Sequence, residues 1–217
     1  MSALPFEDYV IRPVRAREWS AARELRLAAL RDPVAHLAFL DSYEEAVARP
    51  DAYWRERTAN GAEGASGARQ FVAEAGDGSW VGTVAVLIEE AGTRDWAGFP
   101  VERRQGHLVG VYVAPGHRGS GLAKALFDAA LEWAWGRGTE RVRLIVHPEN
   151  ARALGFYHKA GFVESGVTVP LAGRPDEREL EMVVERPQAG GPWGPVGQGG
   201  PDGQGGPDGQ GGPDGQR

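Results

Sequence analysis

The chain of 217 residues contains no cysteine, which excludes disulfides, thiolate metal sites and a cysteine nucleophile. It also lacks any apolar run near the roughly 20 residues that span a bilayer. Its first eight residues have neither the basic nor the apolar segment of a signal peptide, so we expect a cytoplasmic protein. The net charge of −6 disfavours general binding to nucleic acid or anionic membranes. We therefore expect no nucleic acid, membrane or metal ion as a partner.

The remaining composition, 41% hydrophobic and 25% charged residues, is typical of one globular domain. Apolar spacing and turn residues predict the element order β-α-α-β-β-β-α-β-α-β-β. The predicted strands are 9–14, 71–75, 80–88, 107–113, 141–147, 162–169 and 178–184, and the predicted helices are 17–31, 42–57, 120–135 and 150–160. The strand–helix–strand unit at 107–147 requires a right-handed crossover between parallel strands, which predicts a mixed sheet.

The last part of the chain has a different character. Residues 191–217 place glycine at every third position, largely in Gly-Pro-Asp and Gly-Gln-Gly triplets. This register is formally that of collagen, but nine triplets are few, and several carry a second glycine that removes rigidity. A disordered tail with too little apolar surface to fold is the favoured interpretation. We therefore divide the chain into a domain of residues 1–187 and a low-complexity tail of residues 188–217.

The segment Val111–Ala123 (VYVAPGHRGSGLA) carries the most chemical information. An apolar strand meets a Pro-Gly break, a basic glycine-rich turn follows, and an amphipathic helix begins. Such a turn directs backbone N–H groups toward a phosphate, with the positive end of the helix dipole behind them. The glycine spacing of a Rossmann site and the Gly-Lys-Ser/Thr sequence of a Walker loop are both absent. The sequence thus predicts an anion site of another kind.

A second unit, Asn150–Phe162 (NARALGFYHKAGF), follows about 30 residues later. Together the two units resemble the acyl-CoA-binding half of the GCN5-related N-acetyltransferase (GNAT) superfamily, whose pyrophosphate loop is matched by Arg118-x-x-Gly121-x-Ala123. The resemblance covers residues 9–185 in element order. It implies an α/β (α+β) fold, with a mixed, mostly antiparallel central sheet that contains a splayed parallel pair and is flanked by about four helices.

The resemblance also implies acetyl-CoA as a co-substrate, bound between the strands that end at Val113 and Val146. Val111 and Val113 would contact it through their main chain, and an N–H group near Val111 or Tyr112 would hold the thioester oxygen. Arg118 either adds charge or orients the loop, and Asn150 is in addition a natural helix N-cap. The implied cofactor-binding residues are Val111, Tyr112, Val113, Arg118, Gly119, Ser120, Gly121, Leu122, Ala123, Asn150 and Tyr157.

For catalysis, the resemblance places Tyr157 as the general acid that protonates the departing CoA thiolate. A tyrosine, with a reference pKa near 10, holds its proton at neutral pH and suits that role. The family often uses a glutamate base on the strand before the turn, but strand 107–113 contains no acid. Three alternatives for the base stay open: His107, Glu102 or a chain of water molecules.

The acceptor is an amine, which the family binds with its first two helices and the loop before strand 107–113. Here those regions supply Phe39, Asp41, Tyr43, Glu44, Glu45 and loop 96–104. Carboxylates there favour a cationic amine, although residues 41–45 are equally well explained as the start of a helix. A small-molecule amine, a peptide N-terminus, a lysine side chain and an aminoglycoside all remain candidates.

The leading hypothesis is an N-acetyltransferase that acts by direct attack in a ternary complex, since no cysteine is present to carry the acyl group. A non-catalytic acyl-CoA-binding sensor or regulatory module on the same fold is the first alternative, and a turnover assay over varied amines separates the two. The second alternative is an oligomeric structural protein assembled through its tail. For the enzyme we expect a monomer or a homodimer.

Overall fold

The computed structural model describes residues 9–95, 98–171 and 174–187. Seven strands and five α-helices follow one another in this part of the chain. Their bounds are β1 Tyr9–Pro13, α1 Trp19–Leu30, α2 Tyr43–Ala48, α3 Asp51–Asn60, β2 Ala68–Ala75, β3 Trp80–Glu89, β4 Gln105–Val113, α4 Leu122–Gly136, β5 Arg141–Val146, α5 Ala151–Lys159, β6 Val163–Leu171 and β7 Arg174–Glu185.

The strands form one mixed sheet in the order β1-β2-β3-β4-β5-β7-β6. All neighbours are antiparallel except β4 and β5, which α4 connects as the predicted crossover. The parallel pair is hydrogen-bonded only over Gly106–Leu108 and Val142–Leu144, and beyond these residues the two strands diverge. The predicted mixed sheet with a splayed parallel pair is thus confirmed.

The main core lies between α4 and one face of the sheet. Leu122, Leu126 and Phe127 of α4 are fully buried against strand residues such as Val86 and Leu108. Burying a side chain of this size stabilises a fold by roughly 1.5–3 kcal/mol. On the opposite face, α1 packs on β2, β4 and the residue after β1 in a second, smaller cluster of Val14, Leu25, Ala29, Val72 and Tyr112.

The predicted helix 42–57 is wrong as one element. Ser42 caps its start through a capping box, with the Glu45 N–H donating to Ser42 Oγ at 3.2 Å. The helix nevertheless ends at Ala48, and α3 begins at Asp51, after Pro50. Proline lacks an N–H donor and disfavours helical backbone in the residue before it, and Arg49 is accordingly extended, at φ −70° and ψ 135°. The described fold therefore has five helices rather than four.

The predicted tail of residues 188–217 lies outside the described residues. Among the helices of the described part, none combines the length and the apolar character needed to cross a membrane. Residues 9–95, 98–171 and 174–187 also hold no cluster of three or more His, Cys, Asp or Glu side chains that could bind a metal ion.

Candidate active site

A pocket of about 300 Å³ opens where β4 and β5 diverge. One wall is Val111–Val113 of β4, and the glycine-rich turn before α4 forms one end. The segment after α1, including Asp32 and Phe39, and residues of α5 close the remaining sides. The pocket thus brings together both motifs that the sequence singled out.

The β4 wall of this pocket offers backbone hydrogen-bonding groups. Beyond Leu108, β4 is paired with β3 on one side, and no strand of the described residues pairs with it on the side toward β5. The carbonyl of Val113 accepts from Arg118 Nε at 2.8 Å. The other N–H and C=O groups along this edge require partners, and an extended ligand with amide groups can supply them. The edge of Val111–Val113 is therefore suited to a chain that pairs with it as a strand would.

The glycine-rich turn presents backbone donors at the other end of the pocket. Gly119 and Gly121 adopt φ +83° and +88°, a left-handed conformation that other residues rarely accept. Within the described part of the chain, the N–H groups of Gly119, Gly121 and Ala123 have no hydrogen-bond partner. Because they lie at the N-terminus of the 15-residue helix α4, the helix dipole adds positive potential to this cradle.

Arg118 holds the turn in place. Its Nε donates to the carbonyl oxygen of Val113 at 2.8 Å, and its guanidinium forms an ion pair with Asp32. The Asp32 side chain is 4% exposed, so this contact is shielded from solvent. The sequence left two roles open for Arg118, adding charge or orienting the loop. These contacts favour the second role, because they fix the position of the turn. Asp32 directly follows the predicted helix 17–31, and nothing in the local sequence indicates its contact with residue 118.

Tyr157 lies on the face of α5 that borders the pocket and is 8% exposed. Its ring stacks against Phe127 at a centroid distance of 5.7 Å. Burial raises the pKa of the Tyr157 hydroxyl above its ordinary value, so the group keeps its proton at neutral pH. None of the described residues hydrogen-bonds to this hydroxyl, which leaves it available to a molecule in the pocket.

Asn150 caps α5, as predicted, with its Oδ1 accepting from the Ala153 N–H at 3.2 Å, and it also lines the pocket. Two further predicted cofactor residues point elsewhere. Ser120 Oγ donates to the His117 carbonyl at 2.8 Å, and Leu122 is buried in the core. Lys124 and Arg152, which sequence reasoning did not single out, add two positive side chains to the pocket lining.

Neither candidate base lines the pocket. Glu102 is exposed on the loop before β4. His107 is buried at the other end of β4, where its Nδ1 lies 2.9 Å from Glu89 Oε1 in a hydrogen bond. Glu89 also accepts from Arg143 and from Gln105, each at 2.9 Å.

Arg143 extends this cluster to two further carboxylates, with Asp95 at 2.8 Å and Glu181 at 3.3 Å. The buried ion pairs thus connect β3, β4, β5 and β7 on the sheet face opposite α4. Burial alone would raise the pKa of Glu89, but the hydrogen bonds from His107 and Arg143 outweigh it and lower that pKa to about 2. Glu89 is therefore ionised at neutral pH.

The acidic residues proposed near the acceptor have partners of their own. Asp41 accepts from Arg26 at 3.1 Å and from Arg49 at 2.8 Å. Glu45 completes the capping box of α2. These contacts agree with the interpretation of residues 41–45 as a helix start.

Comparison with known sequences decides the family. The sequence model of the acetyltransferase (GNAT) family matches residues 32–162, more than half of the chain. The chain belongs to this family. The matched range includes both the glycine-rich turn and the Tyr157 unit of the GNAT pocket described above.

Two named relatives match parts of this GNAT chain. A mycothiol acetyltransferase of Beutenbergia cavernae is 34% identical over 97 residues, which are 45% of this chain and 29% of that protein. The streptothricin acetyltransferase of Streptomyces lavendulae is 32% identical over 130 residues, 59% of this chain and 63% of that protein. The matched part thus spans less than two thirds of the length of either relative.

Solved structures give the same fold. The GNAT domain of S. lividans PAT superposes with a TM-score of 0.61 at 15% identity, covering 84% of this chain and 99% of that one. YncA, a putative acetyltransferase from Salmonella typhimurium solved with its cofactor acetyl-CoA, superposes with a TM-score of 0.59 at 21% identity, covering 85% and 97%. At identities this low, the superpositions establish the fold alone, and they confirm the GNAT architecture expected from the sequence.

Proposed function

We propose that this GNAT protein is an N-acetyltransferase that moves an acetyl group from acetyl-CoA to a primary amine by direct attack in a ternary complex. One observation carries the proposal. The Tyr157 hydroxyl, which has no hydrogen-bond partner among the described residues, borders the same pocket as the free edge of β4 and the unpartnered N–H groups of the turn. The names of the relatives, both acetyltransferases, support the same reaction class.

The pocket fits the parts of acetyl-CoA, which supplies an activated thioester and a thiolate leaving group. The N–H groups of Gly119, Gly121 and Ala123 suit a pyrophosphate, and Lys124 and Arg152 add positive charge at the pocket wall. The free edge of Val111–Val113 suits the amides of the pantetheine arm. The amide nitrogen of Asn150 remains available to donate, because its Oδ1 is used in the cap.

Within this proposal, backbone and side-chain groups divide the chemistry. An N–H group at the β4 edge, near Val111 or Tyr112, stabilises the negative charge that develops on the thioester oxygen. Tyr157 donates its proton to the departing sulfur, for which its raised pKa keeps it protonated. Water removes the proton from the attacking amine, since neither His107 nor Glu102 lines the pocket.

The experiment is to compare wild-type protein with Tyr157→Phe by calorimetry with acetyl-CoA and by turnover over a panel of amines. The variant should keep its acetyl-CoA affinity and lose about 10²-fold in kcat, within the range of general acid–base catalysis.

Each outcome separates the hypotheses. Wild-type turnover in Tyr157→Phe would refute the acid assignment. Binding of acetyl-CoA without turnover on any amine would favour the non-catalytic sensor, and no binding by folded protein would refute the proposal as a whole.

A further inference from the structure

A second, smaller cavity of about 50 Å³ lies between α1, α3 and the sheet face formed by β2, β3 and β4. Ala22, Arg26 and Ala29 follow at helical spacing on the α1 side. Two of the three are alanines, and Gly110 on the strand side has open space where a Cβ would stand. The volume is several times the roughly 10–15 Å³ that a single water requires, so the space admits a group of a few heavy atoms.

The polar residues around this cavity are two arginines, a tryptophan and the side chains of Thr58, Gln70 and Thr83. Gln70 Nε2 donates to Thr83 Oγ1, which itself donates to the Phe71 carbonyl, so these two groups are bonded to each other and to the sheet. Arg26 and Arg57 contribute guanidinium groups, which donate but never accept. Trp54, 3% exposed, lines the cavity, and both its indole N–H and the Nε of Arg26 are buried without a partner in the described part of the chain. Buried donors of this kind are costly to leave unsatisfied, so these groups favour an occupant that offers hydrogen-bond acceptors.

The charge around the cavity is also one-sided. No carboxylate lines it, and Asp41, the one ion-pair partner of Arg26 among the described residues, is shared with Arg49. Arg57 forms no ion pair within that same part of the chain, and its Nη1 contacts the Tyr53 hydroxyl at 3.4 Å. Burial lowers the pKa of Arg26, and the nearby charge of Arg57 adds to this effect. An anion in the cavity would relieve the repulsion between the two guanidinium groups.

The cavity and the candidate acetyl-CoA pocket are adjacent along one strand. Val109 and Gly110 of β4 line the cavity, and the next two residues, Val111 and Tyr112, line the pocket. Consecutive Cα atoms are about 3.8 Å apart, so the β4 residues that line the two spaces are separated by only a few ångströms along the strand. An acceptor anchored in the cavity would have to extend over this distance to bring its other end to the β4 edge.

We propose that the cavity binds the carboxylate of the acceptor, and that the acceptor is an amino-acid-like molecule whose amine lies a few bonds from that carboxylate. Arg57 and Arg26 bind the carboxylate through charge-assisted hydrogen bonds, and Trp54 donates a third. The inference rests on the proposed acetyltransferase function and narrows its substrate class. It disfavours polyamines and other purely cationic acceptors, which the two guanidinium groups would repel.

The test measures kcat/KM for the L-α-amino acids, for β-alanine, and for the matching amino-acid amides and decarboxylated amines, with saturating acetyl-CoA. Wild-type protein should use its best acid at least tenfold better than the neutral amide of the same compound. Arg57→Gln, an exposed position that should not affect folding, should lower kcat/KM for the acid at least tenfold through KM and leave the amide nearly unchanged. Arg26→Gln should have the same direction of effect.

Arg55→Gln is the matched control, because Arg55 lies on the same helix, stacks on Trp19 and lines neither cavity nor pocket. It should keep the wild-type preference for the acid. Equal or better use of amides or of spermidine by wild-type protein, or an unchanged acid preference in Arg57→Gln, would overturn the inference and show a cavity that holds water.

Calorimetry with acetyl-CoA on the same samples distinguishes a failure of the proposed acceptor class from a failure of the proposed function. Intact acetyl-CoA binding with no preference for carboxylates overturns the acceptor class alone. No binding of acetyl-CoA overturns the proposed function, and the acceptor class with it.

Discussion

The buried carboxylate of Glu89 should make the stability of the fold depend on acid pH. Hydrogen bonds from His107 and Arg143 outweigh the cost of burial and lower its pKa from 4.5 to about 2. Each pH unit of such a difference is about 1.4 kcal/mol, so the ionised group contributes about 3 kcal/mol to the free energy of unfolding. Because the pKa is lower in the folded state, this contribution is complete above pH 4.5 and is lost as the pH falls toward 2.

The perturbation is Glu89→Gln, with urea denaturation measured at pH 7 and at steps between pH 5 and pH 2. The substitution leaves His107 and Arg143 without a charged partner at 2.9 Å, although Arg143 retains Asp95 and Glu181. At pH 7 we expect the free energy of unfolding to fall by about 3 kcal/mol, near the lower end of the range for a broken buried ion pair. Below pH 4.5 the variant should lose stability less steeply than wild-type protein.

Glu90→Gln is the control, because Glu90 is the neighbouring residue but is exposed and paired at 3.0 Å with Arg104, which is also exposed. Loss of a surface pair should cost no more than about 1 kcal/mol. A loss below 1 kcal/mol for Glu89→Gln, or an unchanged pH dependence, would refute the reasoning. At pH 7, turnover per folded molecule should stay at the wild-type value, whereas a shifted pH profile of kcat would place His107 in the reaction.

Two further changes address the pocket. Asp32→Asn removes the charged partner of Arg118. Because a charge-assisted contact contributes roughly 1.5–3 kcal/mol, the affinity for acetyl-CoA measured by calorimetry should fall about tenfold. An unchanged affinity would mean that the turn holds its shape without this ion pair. Asn150→Ala removes the N-cap of α5 and should lower the free energy of unfolding, measured in urea, by about 1 kcal/mol. Asn150→Ser keeps a side chain that can cap the helix and should retain most of the wild-type stability. No loss of stability in the alanine variant would show that the cap is dispensable.

Local signals predicted most elements of the fold. The hairpin between β2 and β3 follows from Gly76-Asp77-Gly78, and the structure places Gly78 at φ +81° in the turn. Helix α4 follows from the apolar stripe that includes Leu122 and Leu126, both buried as expected. The break at Pro50 could also be predicted, since proline disfavours a helical residue before it. The capping box at Ser42 and the polar residues that continue past Pro50 instead favoured one long helix, so the boundary between α2 and α3 was missed.

The parts of the candidate site that lie in one contiguous motif could be predicted from the sequence. The parts that packing brings together from distant segments could not. The turn at Gly119–Gly121 and the Tyr157 unit are each short segments, so the sequence contains both. The ion pair of Arg118 with Asp32 spans 86 positions, and no local pattern indicates it. The guanidinium pair of Arg26 and Arg57 depends on two separate helices meeting over one sheet face, which periodicity alone does not specify.

A bulge in β4 explains how one strand serves both the small cavity and the pocket. Val109 pairs with Ala85 and Tyr112 with Thr83, so Gly110 and Val111 together oppose the single residue Val84. The extra residue reverses the alternation of side chains.

Without the bulge, residue 112 would share the α4 face with Leu108. Instead, Tyr112 packs in the α1 cluster, and Val111 and Val113 pack beside the α4 core. Gly110 makes this possible at φ +65°, where another residue would be strained. The same bulge bends the strand after Leu108, at the point where its pairing with β5 stops. Gly110 therefore separates the part of β4 that pairs with both β3 and β5 from the part that, among the described strands, pairs with β3 alone.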